Sequence, residues 1–219
     1  MLQKLEQEEQ ESTSLEEIIK ANPLLLNSED PDVIKVGEFY LPYSTGFEIE
    51  CDVKIGVSKE DFEHIPNLLD LQITAGEQRF RIEPGIVGLQ SLRMISDTLI
   101  EKALLNNGSG IHYHIDCTDV YDDVILQDVT LNKDWILKEL DTWDYRGTYN
   151  SRDISFTNSN HTWIRFQSGF KTMEFRLGEM TFRYKLLFKR ITHANDIVRR
   201  FKASLNKNVL SMYEDDYLS

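Results

Sequence analysis

The chain has 219 residues, 41% of them hydrophobic and 11% aromatic, which suits one globular domain and is too apolar for a chain disordered throughout. Lysine plus arginine number 24 against 37 aspartate plus glutamate, and a net charge of −13 repels phosphate backbones, which excludes a general nucleic-acid binder. No run approaches the roughly 20 apolar residues of a membrane helix and the first ten residues lack the regions of a signal peptide, so no membrane partner and a cytoplasmic location are expected.

Residues 1–13 are almost entirely Gln, Glu, Ser, Thr and Lys, and Ser14 with Glu17 reads as a capping box for a short helix that stops before Pro23. This acidic segment is taken as residues 1–32, with turn chemistry in Asn27-Ser28-Glu29-Asp30-Pro31-Asp32. One domain is expected over 33–207, followed by an acidic tail at 208–219 that carries Glu214, Asp215 and Asp216. The two cysteines, Cys51 and Cys117, are too few and too isolated for a disulfide framework or a thiolate zinc site, and read as reduced thiols in a packed interior.

Inside the domain the informative segments alternate apolar and chemically competent residues, and in a strand residues i and i+2 share a face. Glu48 and Glu50 oppose Phe47, Ile49 and Cys51; Arg79, Arg81 and Glu83 oppose Phe80 and Ile82. A helix is predicted over 88–105, with Leu89, Leu92, Ile95, Leu99 and Ala103 on one face. His112 and His114 then oppose Ile111, Tyr113 and Ile115, and Glu174 and Arg176 oppose Met173, Phe175 and Leu177. A second helix is predicted over about 179–205; its Arg183, Lys185, Lys189, Arg190, Arg199, Arg200 and Lys202 read first as a solvated face and second as a partner surface. His64, His161 and His193 read as surface or packing residues, and Trp135, Trp143 and Trp163 as core or pocket wall, with Trp163 also placed to floor an adenine or substrate site beside Arg165.

Any half-exposed strand alternates, but these polar positions are filled by metal ligands and phosphate clamps rather than by Lys, Thr, Ser and Gln. Carboxylates without thiolates suit Mg²⁺ or Mn²⁺, imidazole suits Mn²⁺ or Zn²⁺, and arginine is the fork for phosphate or carboxylate. Several carboxylates on one face repel one another unless cations neutralise them, so their co-occurrence predicts a metal, and metal with arginine suggests nucleotide phosphate. No Walker-type glycine loop, G-x-G-x-x-G fingerprint or G-x-S-x-G elbow is present.

The ordered set Gly46-Phe47-Glu48-Ile49-Glu50, Arg81-Ile82-Glu83-Pro84-Gly85, Gly108-Ser109-Gly110-Ile111-His112-Tyr113-His114 and Thr172-Met173-Glu174-Phe175-Arg176 resembles the glutamine synthetase-like carboxylate-amine ligases, in particular the small amidoligase branch of bacteria and phages. The resemblance covers about residues 40–200. It implies an α+β fold, a curved antiparallel sheet backed by helices as in the glutamine synthetase-like catalytic domain. It also implies ATP- and Mg²⁺- (or Mn²⁺-) dependent joining of a small-molecule or peptide carboxylate to an amine through an acyl-phosphate. By the same resemblance Glu48, Glu50, Glu83, His112, His114 and Glu174 are the metal ligands, and the histidines also stand as phosphate contacts. Arg176 neutralises charge on the transferred group, Arg146 and Asn150 are further catalytic candidates, Arg146, Arg152 or Arg165 binds the carboxylate substrate, and Arg165 and Arg176 also bind the nucleotide. Its setting is the cytoplasm, the host's if the protein is phage-encoded.

Two other readings stand beside this one. His112, His114 and Asp116, or a nearby glutamate, form the two-His-one-carboxylate pattern of a metal-dependent hydrolase or oxygenase. Alternatively the fold serves as a non-catalytic binding or assembly module, its acidic N-terminal segment and basic C-terminal helix pairing between subunits as a homo-oligomer.

Overall fold

The computed structural model describes residues 31–50, 52–53, 58–74, 77–104, 110–121, 125–143, 151–155, 162–179 and 181–216. The helix expected before Pro23, Cys51, Arg146, Asn150 and His161 lie outside the described residues. In chain order the elements are α1 (Pro31–Tyr40), β1 (Thr45–Glu50), β2 (Asp52–Val53), β3 (Leu68–Ile73), β4 (Glu77–Ile82), α2 (Gly85–Lys102), β5 (Ala103–Leu104), β6 (Gly110–Asp116), α3 (Ile125–Leu140), β7 (Ser151–Ser155), β8 (Thr162–Gln167), β9 (Thr172–Glu179) and α4 (Tyr184–Asp216).

The four alternating segments become β1, β4, β6 and β9, and they sit together in an open seven-stranded sheet of order β3-β4-β1-β6-β9-β8-β7. Its pairings are antiparallel except that of β7 with β8, so the expected antiparallel sheet ends in a parallel edge pair. Strands β2 and β5 form a separate two-stranded pair.

The apolar side of the alternation builds the core. Phe47, Ile49, Phe80, Ile82, Ile111, Tyr113, Ile115, Met173, Phe175 and Leu177 are buried, as are Leu89, Leu92, Ile95 and Leu99 of α2 and Leu187, Ile191, Val198 and Phe201 of α4. Helix α4 packs on α2, β6 and β9, and α2 also on β4, so helices back the sheet on one side. Each large side chain so buried contributes about 1.5–3 kcal/mol, and the central strands are accordingly the best anchored.

Helix boundaries differ from the sequence reading for local reasons. Helix α2 starts at Gly85 because Pro84 caps it in an extended conformation and Gly85 adopts φ +78°, its N–H donating to Leu41 O at 2.7 Å. Helix α4 starts at Tyr184 because Glu179 still belongs to β9, and it continues through Asp216 into the stretch read as a tail.

The basic stripe of α4 is a solvated face at Arg183, Lys185, Lys189 and Arg200, which are exposed, but not throughout. Arg190 and Lys202 are buried, and Lys202 Nζ donates to Asp119 Oδ1 at 2.6 Å while lying 3.8 Å from the centre of the Tyr43 ring. Arg199 pairs with Asp196, and Arg200 with Glu139 at 3.2 Å. Among the described residues no helix is long and apolar enough to cross a membrane.

Candidate functional site

The polar side of the sheet collects its charged groups on five neighbouring strands. Register sets Glu48 of β1 opposite Arg79 of β4 on one side and His112 of β6 on the other, and sets Glu174 of β9 opposite His114 of β6 and Arg165 of β8. Across the sheet the order is guanidinium, carboxylate, imidazole pair, carboxylate, guanidinium, so unlike groups are neighbours at every step. Gly46, in register with His114, has a structural reason to lack a side chain: a Cβ there would stand 3.3 Å from His114 Cβ.

Glu174 is fully buried and closely held. Arg165 Nε and Gln167 Nε2 donate to its Oε2 at 2.6 and 3.1 Å, and Arg176 donates to its Oε1. Glu48 lies 3.1 Å from Arg79 Nε, which also serves Glu77 at 3.0 Å. His114 Nδ1 lies 3.2 Å from Thr172 Oγ1, which orients the ring.

The remaining imidazole nitrogens point inward. His112 Nδ1 is 3.5 Å from Glu48 and 3.7 Å from Glu174, and His114 Nε2 is 3.6 and 3.9 Å from the same two carboxylates. Both histidines are buried and neither of these nitrogens has a hydrogen-bond partner among the described residues. Separations of 3.5–3.9 Å are too long for hydrogen bonds but close to the edge of a four-ligand metal shell, about 3.4 Å for bonds near 2.1 Å. Glu48, His112 and Glu174 each present a ligand atom within 4.8 Å of the others, so the cluster can hold a metal ion.

Electrostatics keep both acids ionised. Burial pushes the Glu48 carboxyl up, but His112, His114 and the Arg79 guanidinium pull it well below the usual carboxylate range. Burial acts the same way on Glu174, and His114, Arg176, His112 and Arg165 together lower it. Charge balance alone does not call for a cation here, contrary to the expectation from sequence. Three guanidinium groups from β4, β8 and β9 already neutralise the two carboxylates, so their co-occurrence does not by itself require a metal.

The expected residues divide clearly. Glu48, His112, His114, Glu174, Arg165 and Arg176 meet in one place. Glu50, two residues along β1, and Glu83, just past the end of β4, are not in the group whose ligand atoms converge. Arg152 is forked onto Asp141 at 2.9 and 2.6 Å, away from the cluster. Asp116 accepts from the Thr118 N–H and hydroxyl at 2.9 and 2.6 Å and closes its own turn, so it does not complete a two-histidine triad. Trp163 is 4% exposed and has the Arg152 guanidinium 5.8 Å from its ring centre, which leaves no open face to floor an adenine. His193 is a packing residue, its Nδ1 accepting from Trp143 Nε1 at 2.7 Å. Cys117 is buried and unpaired, as expected, with its thiol pushed up to about 12 by burial.

Sequence reasoning put Arg79 on the polar face without a role, and missed Gln167, whose position two residues from Arg165 on the same strand was the available signal. Asn195 of α4 was also missed. Its Oδ1 accepts from Tyr43 N at 3.2 Å and its Nδ2 donates to Thr45 Oγ1 at 3.0 Å, which ties the start of β1 to the helix behind it. No family model matches the chain, and no curated protein matches it either.

Proposed function

We propose that this protein is an ATP-dependent carboxylate-amine ligase of the glutamine synthetase-like type. It would require Mg²⁺ or Mn²⁺ and join a small-molecule or peptide carboxylate to an amine. The observation that carries the reading is the row Arg79, Glu48, His112 with His114, Glu174 and Arg165 across five adjacent strands. Two ionised carboxylates and two imidazole nitrogens without a hydrogen-bond partner among the described residues face one another there, ringed by guanidinium groups.

Glu48, His112, His114 and Glu174 would hold the cation, and a mixed nitrogen and oxygen donor set suits Mn²⁺ better than Mg²⁺. When bound, such a cation supplies Lewis-acid charge to nucleotide oxygens. Because the arginines already balance the carboxylates, a bare dication adds uncompensated positive charge. Metal and polyphosphate therefore enter together on this reading, each supplying what the other lacks. Glu174 fixes Arg165 and Arg176 before any ligand arrives, so their charge is oriented at no cost during phosphoryl transfer.

The test is calorimetric titration of the purified chain with a non-hydrolysable ATP analogue and Mn²⁺ or Mg²⁺, followed by EDTA. Micromolar to low-millimolar binding that disappears on chelation is expected, together with phosphate release from ATP when suitable carboxylate and amine pools are supplied. Absence of nucleotide binding with either metal rejects the reading.

A further inference from the structure

One aromatic ring stands in the open on the polar side of the sheet. Phe170, in the turn between β8 and β9, is 62% exposed, and its ring meets the His114 ring edge to face with centroids 6.2 Å apart. Exposure of a single apolar side chain says little by itself. Its backbone says more. Lys171 adopts φ +51°, a left-handed conformation that residues with side chains avoid, while Gly169, in open space two residues earlier, is not used for it. The turn is also tied down, since Cys117 N–H donates to Lys171 O at 3.0 Å and Thr172 Oγ1 lies 3.2 Å from His114 Nδ1. Phe170 is thus held beside a cluster histidine with most of its surface turned to solvent.

We propose that Phe170 is the stacking platform for the base of the bound nucleotide, an inference that rests on the nucleotide reading above. A nucleotide needs two kinds of partner. Its phosphates need charge, which on that reading the guanidinium groups of the row and the cation that enters with the nucleotide provide. Its base has a broad π face and needs a flat apolar ring within reach of that row. Trp163 is buried under Arg152 and does not offer one. Phe39, the other exposed aromatic among the described residues, lies on α1 with the Arg199 guanidinium 4.8 Å from its ring centre. Phe170 alone of these adjoins the cluster, and stacking on it tolerates any base while favouring the larger purines.

The proposal separates base from phosphate, so the experiment does the same. Wild type, Phe170→Ala and Phe170→Trp are titrated with a non-hydrolysable ATP analogue and with inorganic tripolyphosphate, both with Mn²⁺. Phe170→Ala is expected to bind the analogue about tenfold more weakly and to bind tripolyphosphate within about twofold of wild type. Phe170→Trp is expected to restore analogue affinity, and its added indole fluorescence to be quenched by the analogue and not by tripolyphosphate. Equal analogue affinity in wild type and Phe170→Ala, or an equal loss for both ligands, overturns the stacking role and leaves the nucleotide reading standing. Failure of wild type to bind either ligand overturns both.

Discussion

Arg165 Nε donates a 2.6 Å hydrogen bond to Oε2 of Glu174 across paired strands, against an acid with no exposure to water. Arg176 holds the other oxygen of the same carboxylate. Glu174 is therefore as much a structural counter-charge as a ligand candidate, and its removal leaves two guanidinium groups facing each other in a dry place. Glu174→Ala is expected to cost about 3–5 kcal/mol, a fall in melting temperature of roughly 6 to 20 °C. Glu174→Gln, which keeps an acceptor, is expected to cost less. An unchanged melting temperature for Glu174→Ala in scanning calorimetry would contradict this account.

Glu48 is the cleaner probe of ligand binding because its counter-ion Arg79 is partly exposed and can rehydrate. Manganese titrations followed by electron paramagnetic resonance are expected to show weak binding of Mn²⁺ alone and at least about tenfold tighter binding with tripolyphosphate present. Glu48→Gln is expected to lose that enhancement and to melt close to wild type. Tight Mn²⁺ binding that is indifferent to polyphosphate would argue against coupled entry.

A pH effect follows from the α3–α4 contact. The indole N–H of Trp143 is a donor only, so His193 Nδ1, which accepts it at 2.7 Å, must carry no proton. His193 Nε2 faces Glu139 at 3.4 Å, with Asp196 and Arg200 also acting on the ring. Burial nevertheless wins and lowers the His193 pKa from its ordinary 6.5. Between that value and the lowered one the unfolded chain binds more protons than the folded chain. The contribution is thus complete above about pH 6.5 and is lost as pH falls below it. Glu48 and Glu174, also lowered, act in the same direction further down, with stability complete above their ordinary 4.5 and lost below it. Melting temperature is expected to decline from pH 7 to pH 5, and His193→Asn to be less stable at pH 7 but flatter over that interval. Parallel curves for the two proteins would exclude His193 as the source.

Helices α1 and α2 meet at Gly37, where a Cβ would run into the backbone of Ile86, whose Cα stands 2.8 Å from that position. Gly37→Ala is expected to cost about 1–3 kcal/mol, roughly 2 to 12 °C in melting temperature, with ligand affinity unchanged because the contact is remote from the polar face. A melting curve equal to that of wild type would show that α1 can shift freely.

Much of the site was legible residue by residue. Glu48, His112, His114, Glu174 and Arg176 fall on polar faces of β1, β6 and β9 where alternation puts them. Helix α3 was not foreseen, although Ile136, Leu137 and Leu140 all turn inward, and the burial of Lys202 on α4 was missed because its acidic partner Asp119 lies far away in the chain.

The difference lies in the range of the forces. Alternation with period 2 depends on a residue and its immediate chain neighbours, so it is written locally and decides which side chains share a face. Strand order and register depend on how β4, β6 and β9 pack against α2 and α4, and no local pattern encodes them. Only that packing brings Arg79 to Glu48 and Arg165 to Glu174, and so turns a row of acids that seemed to call for a metal into a nearly neutral cluster of carboxylates, imidazoles and guanidinium groups.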